Sequence, residues 1–79
     1  MKTFILYGTS ACHLCEVAQS MIEAQCVLDG DVDYRHVDIS ESDDLFQRYG
    51  LVIPVLQHPD QRELGWPFSE AQLREFMVS

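Results

Sequence analysis

Two cysteines three positions apart, in the run Thr9-Ser10-Ala11-Cys12-His13-Leu14-Cys15, are the side chains of this sequence best suited to chemistry. A thiol pair at that spacing can pass between dithiol and disulfide. One thiolate attacks a foreign disulfide, and the second attacks the resulting mixed disulfide and releases it. The same spacing also supplies two thiolates of a zinc or iron–sulfur site, which normally needs four ligands. Which chemistry the pair can perform depends on the elements that hold it.

Phe4-Ile5-Leu6-Tyr7 is apolar at successive positions, the pattern of a strand buried on both faces in the middle of a helix-covered sheet. Gly8 supplies a turn, and helical periodicity follows from His13 to Leu28. Cys12 is therefore expected at a helix start and Cys15 about one turn further in. A helix N-terminus presents unpaired N–H groups and the positive end of the macrodipole, which favour a thiolate and lower a cysteine pKa from its free value of roughly 8.5. A C-x-x-C between a first strand and a first helix points to redox chemistry more strongly than to metal. The chain has no second C-x-x-C and no close histidine pair, so the metal or iron–sulfur alternative requires two copies to share one site.

Along that helix Glu16, Gln19, Ser20 and Glu23 form one polar arc. Leu14, Val17, Ala18, Met21, Ile22, Ala24 and Leu28 are expected on the core side, with Gln25 as an exception among them. Cys15 and Cys26 project at nearly the same angle, but eleven residues of helix hold them about 16 Å apart, too far for a disulfide. Cys26 reads as a small buried hydrophobe.

Asp29-Gly30-Asp31 carries turn chemistry, with Gly30 expected in the left-handed region. A second strand of mixed polarity, hence an edge strand, is expected over residues 33–38. His36 on it reads as a surface residue rather than a catalytic base. Ser40 or Ser42 caps a helix whose first turn is acidic and which Gly50 ends. Residues 51–57 read as a strand run interrupted by Pro54, which best fits a first strand position because it has no N–H to donate. His58-Pro59-Asp60-Gln61 turns into a short strand over residues 62–64. Ser69 and Gln72 then form a capping-box start to a last helix, with Leu73, Phe76 and Met77 facing inward. The expected class is α/β, in the order β-α-β-α-β-β-α, with a four-stranded mixed sheet flanked by helices and a right-handed crossover between parallel first and second strands.

At 79 residues the chain is expected to form a single domain over 1–79 with one modest core. Thirteen acidic against five basic residues give a charge of −8, which argues against nucleic acid and anionic membrane, because both need a basic patch. Four apolar positions before Gly8 are too few for a signal peptide or a membrane span, so a cytoplasmic location is expected; separately, the chain is expected to be a monomer. In a reducing compartment three cysteines do not read as a disulfide scaffold.

Taken together, Phe4 to Gly8 before Cys12-His13-Leu14-Cys15, Val37-Asp38, Tyr49-Gly50, Ile53-Pro54 and Gly65 before the last helix resemble the glutaredoxin-like proteins of the thioredoxin fold. The resemblance covers essentially the whole chain. It implies a thiol-disulfide oxidoreductase in which Cys12 is the exposed nucleophile and Cys15 the buried resolving thiol. It also implies a cis Pro54 beside Cys12, with Ile53 and Pro54 as the substrate platform and His13 tuning the thiolate. No bound cofactor is implied. The substrate would be a protein or low-molecular-weight disulfide, with glutathione as reductant or co-substrate. The chain departs from the family in having His-Leu between the cysteines, no basic residue just before Cys12, and Gly65-Trp66 where paired glycines are expected. Arg48 and Arg62 remain as carboxylate partners near the proposed site. A third class of reading, a non-catalytic binding module, would use an apolar patch at Trp66 and Phe68, although packing against the last helix is the expected fate of those rings.

Overall fold

The computed structural model describes residues 2–79. Four strands form one sheet in the order β2-β1-β3-β4: β1 (Lys2–Gly8), β2 (Val32–Asp38), β3 (Val55–Gln57) and β4 (Glu63–Gly65). As its unbroken apolar run requires, β1 lies inside the sheet. It pairs parallel with β2 from Lys2↔Val32 to Gly8↔Asp38, and antiparallel with β3 from Ile5↔Gln57 to Tyr7↔Val55. Helix α1 (His13–Leu28) makes the crossover between the parallel pair, while α2 (Asp43–Tyr49) and α3 (Glu70–Val78) follow β2 and β4.

Alternation along β1 sends its side chains into two cores. Phe4 and Leu6 meet Ala18 and Ile22 of α1, Leu56 of β3, and Leu73 and Met77 of α3. Tyr7 packs on the opposite face with Ile39, Tyr49 and Val55. Trp66 and Phe68 stand edge-on to each other and belong with the first core, as the sequence suggests. Ser69 accepts from the Gln72 N–H at 3.1 Å, and the Gln72 side chain accepts from the Ser69 N–H at 2.9 Å, closing the expected capping box.

Three local expectations change, and the choice of cap for α2 falls on one of the two serines offered. The buried stripe of α1 is Cys15, Ala18 and Ile22, whereas Leu14, Val17, Ala24 and Leu28 face outward. The apolar arc of this helix is wider than the strip that a four-stranded sheet covers, and the contact at Cys15 described below decides which edge of the arc is buried. Gly30 is not left-handed, and no glycine among the described residues has positive φ. The turn is instead made by the Asp29 carboxylate, which accepts from the Asp31 N–H at 3.0 Å. Of the two serines offered as caps for α2, Ser42 caps it, while Ser40 lies in a 3₁₀ turn (Ile39–Glu41) capped by Asp38. The third strand begins at Val55, because Leu51, Val52 and Ile53 leave α2 as a turn, with the Ile53 N–H donating to the Tyr49 carbonyl at 3.1 Å.

Tyr49 ties the second core together. Its ring stacks on Tyr7 at 4.3 Å, and its hydroxyl donates to the Glu63 carboxylate on β4. Burial, reinforced by that carboxylate, pushes the Tyr49 phenol up from 10.0 to about 12. A folded pKa raised above the unfolded one contributes stability that is whole below pH 10 and is lost as pH climbs towards 12. Denaturant unfolding of the parent protein and of Tyr49→Phe, compared at about pH 9 and about pH 11.5, is expected to show the parent's advantage shrink by about 1–2 kcal/mol over that interval.

Candidate functional site

The C-x-x-C lies where β1 hands over to α1. Ala11 has φ 62°, a left-handed conformation that a non-glycine residue adopts at a cost of about 1–2 kcal/mol. It turns the chain so that Cys12, in extended backbone, becomes the N-cap of α1. The Cys12 carbonyl accepts the Glu16 N–H at 3.1 Å, and its Sγ accepts the Cys15 N–H at 3.2 Å. Cys12 sulfur therefore takes the place that an oxygen occupies in an ordinary N-cap, under one of the unpaired N–H groups of the helix start. Cys12 and Cys15 are joined as a disulfide, with Cα atoms 5.2 Å apart. The two ends of the bond differ: Cys12 is half-buried, whereas Cys15 is 3% exposed. His13, the first residue of α1, is exposed.

Gly8 makes this placement possible. A methyl group added there would stand 3.1 Å from Cys15 Sγ, 3.2 Å from Cys15 Cβ and 3.3 Å from His36 Nε2. The first turn of α1 thus lies directly on the end of β1, so close that a side chain at this position would force its neighbours to shift by a few tenths of an ångström. Sequence reasoning assigned Gly8 to a turn and missed this role; its position as the last strand residue before the cysteine loop was the available signal. His36 is the larger omission. Read from the sequence as a lone surface histidine, it is exposed, but its ring reaches the same gap beside Cys15.

The Ile53–Pro54 peptide is cis, as the resemblance implied, and so is Trp66–Pro67. Because Val55 pairs with Tyr7 in an antiparallel ladder, Ile53 and Pro54 leave the sheet at the end of β1 that leads into the cysteine loop. Pro54 is buried and Ile53 half-buried. The Ile53 N–H is already given to Tyr49, so its carbonyl is the group without a backbone partner among the described residues. Leu51 and Val52, just before it, are exposed.

Of the two arginines, Arg62 does not sit near the proposed site. Arg62 lies at the hairpin turn, at the far end of β3 and β4 from Pro54, and is engaged by Asp60 at 2.7 Å and by the Ser79 hydroxyl at 2.9 Å. A short turn puts the ends of the hairpin in opposite places, which sequence proximity to Leu64-Gly65 conceals. Arg48, in the last turn of α2, lies over the Tyr49 ring and within 3.9 Å of Asp44. Cys26 is free and half-buried against the first core, and burial, followed by Asp33, Glu23 and Asp29, pushes its thiol up. Such a thiol is a poor nucleophile. Among the described residues no three His, Cys, Asp or Glu side chains are grouped as metal ligands. Among the described residues no helix is long and apolar enough to cross a membrane.

Residues 3–77 match the model of a family described as the glutaredoxin-like domain (DUF836). The chain belongs to that family. No curated protein matches it. Among solved structures it is similar to the structural-genomics target protein XcR50 of X. campestris, at 36% identity and a TM-score of 0.80 over 95% of each chain. Protein Ne2328 of Nitrosomonas europaea is 24% identical with a TM-score of 0.70, over 95% of this chain and 89% of that one. Thioredoxin 1 of Thermosipho africanus, 15% identical, superposes with a TM-score of 0.73 over 96% of this chain and 90% of that one. The last two likenesses concern the fold alone, which this chain shares with a thioredoxin.

Gly8→Ala is expected to cost about 1–3 kcal/mol of stability by forcing α1 away from β1. Gly65→Ala, where an added methyl meets nothing within 4 Å, is the control, expected within about 0.5 kcal/mol of the parent. Guanidinium unfolding of both variants checks this, and equal losses would deny the Cys15 contact its role.

Proposed function

We propose that this protein is a dithiol–disulfide oxidoreductase working through Cys12 and Cys15. The observation that carries the reading is the asymmetry of the pair, a half-buried Cys12 capping α1 and a buried Cys15 one turn behind it, bonded to each other. The partly exposed sulfur is the one a foreign disulfide can reach, and it stands where helix N–H groups favour a thiolate. In the reductive direction Cys12 thiolate attacks a substrate disulfide, expelling one half as a thiolate and keeping the other as a mixed disulfide. Cys15 then attacks Cys12 Sγ, the second half leaves reduced, and the Cys12–Cys15 bond holds the two electrons' worth of oxidation.

Ile53 and Pro54 serve as the platform beside the pair. The free carbonyl of Ile53 supports one backbone hydrogen bond to an extended substrate. His13 is exposed next to the nucleophile and is assigned the tuning of its thiolate. The substrate class is a protein or low-molecular-weight disulfide, with glutathione as reductant or co-substrate, met by a monomeric single domain in the reducing cytoplasm. The internal engagement of Arg62 favours substrates that do not depend on an arginine clamp for a carboxylate.

With glutathione disulfide as substrate, Cys12→Ser is expected to fall below about 1% of the parent exchange rate, because no second nucleophile of that kind remains. Cys15→Ser is expected to accumulate one glutathione on Cys12, seen in the intact mass. Undiminished exchange by Cys12→Ser would overturn the assignment.

A further inference from the structure

The dithiol reading leaves a proton without a destination. Cys15 must lose its thiol hydrogen before it can attack, yet its side chain is 3% exposed. Burial in an apolar setting holds a thiol in its protonated, unreactive form. The structure puts one base beside it. His36 faces α1 from β2, as the register partner of Leu6, and its Nε2 and Cys15 Sγ border the same gap above Gly8, 3.3 Å and 3.1 Å from where a methyl would stand. His36 as a residue is exposed.

We infer that His36 accepts the proton of Cys15 during resolution of the mixed disulfide and carries it to solvent. The inference rests on the dithiol reading above and assigns the residue that enables its second half. In the neutral ring with hydrogen on Nδ1, Nε2 takes the Cys15 proton through one water in the gap above Gly8. Cys15 thiolate attacks Cys12 Sγ, forming the Cys12–Cys15 bond as the Cys12–substrate S–S bond breaks. The electron pair leaves on the substrate sulfur, which is thereby reduced and takes its proton from water. The imidazolium then gives its proton to bulk solvent.

The surroundings suit the task. From α1 the titratable groups on this face are Cys15 and, through the Tyr34 hydroxyl, Glu23. Gln19 donates to the same hydroxyl at 2.9 Å, so Tyr34 is held by α1. From β1 come Leu6 and Gly8, which do not titrate. From β2 itself comes Asp38, whose carboxylate is near enough to His36 to feel its charge and is held low chiefly by the Ser40 hydroxyl and N–H, with Thr9 also contributing. A fixed carboxylate on the same strand face stabilises positive charge as it develops on the ring.

The test follows the reduced protein, in a Cys26→Ser background, reacting with dithiobis(nitrobenzoate) in a stopped-flow spectrometer. One coloured thiolate reports attack by Cys12, and a second reports resolution by Cys15. His36→Gln is expected to leave the first phase unchanged and to slow the second by about tenfold or more near neutral pH. Added imidazole is expected to restore the second phase in the variant and to leave the parent unaffected, a rescue that a purely structural role would not allow. His36→Asn and a thermal melt guard against a folding artefact. Equal second phases in parent and variants from about pH 6 to about pH 9 would overturn the role of His36 while leaving the dithiol reading in place. Absence of a second phase in the parent would overturn the dithiol reading itself.

Discussion

The contact on which this structure depends is the approach of Cys15 to the bare backbone of Gly8. It fixes the height of α1 over the sheet and its rotation about its own axis, because a helix anchored at Cys15 must bury the positions three and seven residues on. Those are Ala18 and Ile22, both fully buried. The same contact sinks one sulfur of the pair and leaves the other at the surface. Packing and chemistry are set by one missing side chain.

The two cores differ in what they do for the site. The first, between the sheet and the helices α1 and α3, is built from aliphatic residues, Phe4 and Phe68, and carries the base of the cysteine helix. The second, under α2, is smaller and more polar. There the Tyr7–Tyr49 stack and the bond from Tyr49 to Glu63 join β1, α2 and β4, three elements that do not follow one another directly in the chain. Its position under the Tyr49 carbonyl, which receives the Ile53 N–H, makes it the support of the cis-proline loop. Each side of the site thus stands on its own core, and β1 couples them by sending alternate residues into both.

Much of this was legible in the residue types. The apolar run of β1, the capping box at Ser69, and the strand-to-helix setting of Cys12 and Cys15 each carry a local physical signal, and the structure follows them. The awkward Pro54 acquires its explanation from the family resemblance rather than from strand propensity: its peptide is cis, and β3 begins one residue later, at Val55. What could not be read was set by partners distant in sequence. The buried edge of α1 depends on Gly8, which lies before the helix. His36 gains its neighbour through the crossover register of β2 on β1. Arg62 lies close in sequence to the loop after β4 yet is carried to the other end of the molecule by the hairpin. Gly30 looked like a helix terminator, but the Asp29 side chain does that work without a left-handed residue.

The strands at the two ends of the sheet expose unpaired backbone groups, and such edges invite other chains to add on. On β2 the exposed Asp33 and Arg35 place a charge of each sign along the open side. On β4 the edge is three residues long and runs into Trp66-Pro67, where the proline has no N–H to offer. Both borders therefore discourage self-templating growth of the sheet, which leaves a small protein with a partly exposed Cys12 protected against aggregation by strand addition.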